Sequence, residues 1–128
     1  MLVHFPIALF IVAGMLDVFS WVTTQAISYQ AARYIFNLAA FFSILSVGSG
    51  LWEAARIGLN HPILSAHRFY AIIVMLVSCI FCCITHFIPA RFQRPAFSSV
   101  VLICVLLVII TGYFGGKLVF DYGVGVEH

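Results

Sequence analysis

SSVVLICVLLVIITGYFGG, residues 98–116, runs for nineteen positions without one charged side chain. As a helix it would be about 28 Å long, close to the roughly 30 Å hydrocarbon thickness of a bilayer. Three similar stretches precede it, at residues 5–22, 33–55 and 67–86. The segments between them, 23–32, 56–66 and 87–97, hold three of the four prolines, all three glutamines and the charges of Arg56, Arg91 and Arg94, as turns at a membrane surface do. Such short connections make consecutive helices antiparallel neighbours. The expected fold is therefore all-α, a four-helix transmembrane up-and-down bundle forming one domain over residues 1–128.

Composition leads to the same solvent. Of 128 residues, 64% are apolar, 16% aromatic and only 8% charged, whereas a soluble domain devotes about 25% to charge. The mean hydropathy is +1.16. Lipid is the environment that such a surface can face, so the bilayer is the first partner. A net charge of +2, with no basic tract to follow phosphates, excludes nucleic acid. Cys79, Cys82, Cys83 and Cys104 lie in apolar runs and read as small hydrophobes rather than as disulfides or metal ligands. No basic segment and no small-residue cleavage site accompany the first apolar stretch, so it is expected to stay in the mature chain.

An even number of spans puts both termini and the loop holding His61 on one side, here called the terminal face. That face carries Arg56, Arg68 and Lys117 with Glu53, Asp121 and Glu127; the opposite face carries Arg33, Arg91 and Arg94. Lys and Arg tie at three each, so the positive-inside rule does not decide. The net balance favours the all-basic side as cytoplasmic, which places the termini in the periplasm of a bacterial inner membrane.

Within the second span Ala39, Ser43, Ser46, Gly50 and Glu53 recur at helical spacing, a small-residue stripe that reads as helix packing. Glu53 is expected to pair with Arg56 or Arg68. Asp17, toward the opposite face, is expected to reach Arg33, because an unpaired carboxylate in lipid is costly.

Histidine placement carries the functional reading. His4 opens the first span just before Pro6, and His67 opens the third. Both helix ends lie on the terminal face, and in an up-and-down bundle the first and third helices are diagonal. Two imidazoles approaching a common centre from opposite sides are the axial ligands that a b-type haem requires. His4 and His67 are thus the candidate metal ligands. Arg56, Arg68 and Lys117 are candidates for the haem propionates, and Phe5, Tyr70 and Tyr113 for aromatic walls. Interfacial histidines that only bond a loop carbonyl are the competing reading. His61 is a spare ligand or an exposed contact, His86 lies on the opposite face, and His128 is terminal.

The closing stretch, GYFGGKLVFDYGVGV at residues 112–126, offers Gly115 and Gly116 as a helix end, followed by a tail capping the bundle. It lacks the Ser or Thr after the lysine that a phosphate loop needs. Together with the opening VHFPIALF at residues 3–10, it resembles an uncharacterised bacterial family of four-helix predicted membrane proteins. The resemblance extends over the whole chain. In that family the opening His corresponds to His4 and a His near the third helix start to His67; a His before GVGV is replaced here by Tyr122. Some members are fused to periplasmic cytochrome c domains, which implies a periplasmic terminal face and an electron-transfer setting.

Two functions follow. One is a b-type haem-binding electron-transfer component of a larger membrane complex, passing electrons between a periplasmic cytochrome and a membrane partner. The other is a haem-free structural or assembly subunit whose aromatic helices pack against such a complex. A transporter would need broken helices and repeat symmetry. No nucleophile and base pair stands out, so the reading leans away from an enzyme.

Overall fold

The computed structural model describes residues 4–57 and 62–121. It has four helices, α1 (His4–Thr23), α2 (Ala26–Ile57), α3 (Pro62–Ile84) and α4 (Ala90–Phe120), with a 3-10 turn at Thr85–Phe87. All four are long and apolar enough to cross a membrane. No strand occurs among the described residues. Helix α1 packs on α2, α2 on α3, α3 on α4, and α4 back on α1, leaving α1 and α3 on the diagonal.

Local chemistry sets the ends. Pro6 lies in the first turn of α1 and Pro62 opens α3, positions where a missing N–H leaves no hydrogen bond unmade. Only Thr24 and Gln25 separate α1 from α2, and Thr24 takes the left-handed φ of 56°. Beyond α3, the Gln93 amide donates to the carbonyls of Ile88 at 2.9 Å and Thr85 at 3.5 Å, satisfying backbone acceptors at the turn.

The helices run further than hydropathy suggests. Residues 26–32, 62–66 and 90–97, expected in connections, are helical, because polar residues at a bilayer surface interrupt hydrophobicity without interrupting the hydrogen-bond ladder. Gly115 and Gly116 do not end α4. It continues to Phe120, where the Asp121 N–H donates to the Lys117 carbonyl at 3.0 Å. His61, Tyr122 and His128, and the tail beyond Asp121, lie outside the described residues.

Lipid gives helices no hydrophobic reason to associate, so close packing must hold the bundle. Phe10, Phe36, Phe81 and Phe97, one from each helix, meet in its interior. Phe36 is central, with ring centroids 5.5 Å from Phe10, 6.0 Å from Phe81 and 5.5 Å from Phe97, all edge-to-face. Each such pair contributes about 1 kcal/mol beyond its buried area.

On the opposite-face side of this cluster lies Asp17, buried in α1. It faces Ser98 and Arg94 of α4, whereas Arg33 instead lies 5.9 Å from the Tyr29 ring. The expected pairing with Arg33 is thereby corrected: α4 starts early enough to bring Arg94 onto α1. Arg94 donates from Nη2 to the Ser20 carbonyl at 2.9 Å, and Trp21 Nε1 donates to Ser98 Oγ at 2.9 Å.

Candidate functional site

Toward the terminal face the aromatic filling stops. Helix α2 presents Ser43, Ser46 and Gly50 where it had presented Phe36, and the space between the four helices opens into a cavity of about 650 Å³. That volume is in the range of small-molecule and cofactor sites. Phe10, Val74 and Val108 belong to its apolar lining. The stripe in α2 is thus divided: Ala39 packs in the core, while Ser43, Ser46, Gly50 and Glu53 line the cavity.

His4 from α1 and His67 from α3 both line this cavity. Helix α4 fixes the second of them. His67 Nδ1 is 2.9 Å from the Thr111 carbonyl oxygen; a carbonyl has no proton to give, so Nδ1 carries the hydrogen and donates it. In a neutral ring the lone pair then belongs to Nε2. The approach is close because position 115 is glycine. A Cβ there would stand 3.2 Å from His67 Cε1 and 3.4 Å from Nδ1.

The three candidate cations have different positions. Arg68 lines the cavity, and its Nε and one terminal nitrogen are buried without a hydrogen-bond partner among the described residues. Buried donors of a cation left unpaired are costly, and a carboxylate would satisfy them. Arg56 instead pairs with Glu53 at 3.5 Å on the exposed surface. Lys117 lies 5.6 Å from the Tyr113 ring and borders a separate shallow depression. Only Arg68 of the three faces the histidines' cavity.

The expected aromatic walls lie elsewhere. Tyr70 stacks on Phe114 with centroids 5.6 Å apart, Phe5 packs on Phe42 at 5.4 Å, and Tyr113 borders the shallow depression. At those positions the rings fill gaps between adjacent helices or face lipid. Phe10 and Phe120 are the phenylalanines of the cavity lining.

Among the described residues, no three or more His, Cys, Asp or Glu side chains stand together as a metal-holding group. Two imidazoles from diagonal helices suit a metal that brings its remaining ligands with it, as a porphyrin does. A guanidinium with unsatisfied donors at the same cavity suits the carboxylates of that molecule.

Over its whole length, residues 1–128, the chain matches a family described as predicted membrane protein (DUF2231). The chain belongs to this family. No curated protein and no solved structure matches it. Membership accords with the four spans, and the chain is a multi-pass membrane protein.

Thr111 and Gly115 were the site residues that the DUF2231 sequence concealed. The signal available was the small residues Thr111, Gly112, Gly115 and Gly116 flanking Tyr113 and Phe114, inside an otherwise bulky span. Hydropathy alone reads it as a terminator, whereas in the bundle it is the place where α4 backbone approaches an imidazole.

Proposed function

We propose that this protein is a small membrane subunit that holds one b-type haem between His4 and His67 and serves as an electron-transfer component of a larger membrane complex. The observation that carries the reading is the shared cavity: two histidines on diagonal helices line one apolar space, and one of them has its Nδ1 held by the Thr111 carbonyl. A bound haem supplies a one-electron couple, with no bond made or broken in a substrate.

The chain's own residues then have separate tasks. His4 and His67 would hold the iron, one from α1 and one from α3. Arg68 would pair with a propionate. Ser43, Ser46 and Gly50 leave space where a larger side chain would fill the cavity, and Phe10, Val74 and Val108 exclude water from its apolar part. Lys and Arg are equal on the two sides, and only the net charge, which the terminal-face carboxylates lower, favours a periplasmic terminal face, where a periplasmic cytochrome is the partner of fitting chemistry.

The test is a reduced-minus-oxidised absorbance spectrum of haem-supplied, detergent-purified protein, with haem extraction for stoichiometry. About one haem per chain, lost in both His4→Ala and His67→Ala, is the expected result. A flat spectrum from folded protein overturns the reading and leaves the haem-free assembly subunit. That alternative draws on the broad exposed surface of Phe, Trp, Leu and Ile, and native co-purification would then identify what covers it.

A further inference from the structure

We infer that the α4 backbone at Thr111 and Gly115 sets the tautomer of His67, with Gly115 as the positioning residue that lets the ring reach its carbonyl. The inference deepens the proposed haem site, yet it concerns this chain's own hydrogen bond and is measurable without haem.

Three glycines lie in the last turns of α4, and they are not equivalent. A Cβ on Gly112 or on Gly116 would meet nothing within 4 Å, whereas one on Gly115 would meet the His67 ring at 3.2 Å. Contacts that short are rarely tolerated, and the neighbour here is a planar ring already held by a hydrogen bond. To admit the methyl the imidazole has to give by a few tenths of an ångström, which strains the 2.9 Å contact from Nδ1 to the Thr111 oxygen.

The Thr111 carbonyl has two lone pairs, one of which serves the helix's own ladder. The other is open to a donor from outside, and the missing side chain at 115 clears the approach. The Thr111 hydroxyl does not compete, because it donates to the Leu107 carbonyl at 2.7 Å. A histidine whose Nδ1–H is held by a backbone carbonyl presents Nε2 as its basic nitrogen and has its ring plane fixed. This is the arrangement by which an outer partner orients a ligating imidazole and raises its basicity. Without the carbonyl, the ring is free to adopt the other tautomer and to rotate.

The experiment is nitrogen NMR of histidine-labelled, haem-free protein in detergent under alkaline conditions, where imidazole is neutral. His67→Gln assigns the signal, and Gly116→Ala serves as the control. Wild type and Gly116→Ala should show His67 as the Nδ1–H form. Gly115→Ala should show a mixture or the Nε2–H form, and when loaded it should bind haem about tenfold more weakly. An Nε2–H ring in the wild type, which needs no variant and no refolding control, overturns the inference. So does a Gly115→Ala protein with an unchanged tautomer. Retention of haem by His67→Ala would instead defeat the proposed ligation and leave the tautomer assignment standing, so the two failures are distinguishable.

Discussion

The Arg94 guanidinium lies 4.5 Å from the centroid of the Trp21 ring. The contact joins the start of α4 to the end of α1 beside the buried Asp17 carboxylate, whose Oδ1 has no hydrogen-bond partner among the described residues. In lipid the two opposite charges stabilise each other mainly by being present together. Arg94→Met should therefore destabilise the bundle by about 3 kcal/mol, since it leaves the carboxylate without its cation. Asp17→Asn should cost less, about 1 kcal/mol, because the amide keeps an acceptor for Ser98. The double variant should be more stable than the sum of the two losses predicts. Thermal unfolding in detergent measures all three, and strict additivity would show that the charges do not act as a pair.

Phe36 joins the aromatic cluster through three edge-to-face contacts and is fully buried. Truncation leaves a cavity where rings from all four helices meet in the core. Phe36→Ala should cost about 3 to 5 kcal/mol and Phe36→Leu clearly less, because leucine refills part of the volume. A loss below about 1 kcal/mol for the alanine variant would mean that the rings do not hold the helices together.

Thr24 is a β-branched residue at φ 56° in a two-residue connection, a conformation that costs of order 1 kcal/mol or more. Asparagine accepts this region far better. Thr24→Asn should raise stability by about 1 kcal/mol. An unchanged or lowered unfolding midpoint would show that the Thr24 hydroxyl, which donates to the Thr23 carbonyl at 2.7 Å, contributes more than the backbone strain removes.

Number and kind of helices were legible because bilayer thickness demands about 20 apolar residues per span, and four stretches meet that demand. Helix ends were less so. Residues 90–97 carry Arg91, Arg94 and Pro95, yet α4 includes them, since the backbone ladder does not depend on hydropathy. The same cause hides the partner of Asp17, since an apolar run that begins at Ser98 leaves Arg94 in a connection, whereas α4 begins at Ala90. His4 and His67 could be paired from topology alone, because diagonal helices follow from short connections. Arg68 could not be separated from Arg56 and Lys117, since all three share one face in sequence. Only side-chain direction within the turn distinguishes a cation facing the cavity from one facing an exposed glutamate.

That distinction is testable through the proposed haem. Arg68 alone of the three lines the histidines' cavity, with two buried nitrogens lacking partners among the described residues. Hydrogen bonds to a charged group are worth about 1.5 to 3 kcal/mol, so Arg68→Met should weaken haem binding by roughly ten- to a hundredfold. Arg56→Met removes a surface pair with Glu53, a contact worth at most about 1 kcal/mol, and should leave haem affinity within about twofold. Lys117→Met should do the same, because its ammonium faces Tyr113. Haem titrations of the three purified variants decide the matter. Equal losses in all three would mean that the propionates meet a diffuse basic surface, and no loss in Arg68→Met would mean that its buried donors serve another group. Selective loss in Arg68→Met would orient the molecule in the bundle, with a propionate edge against α3.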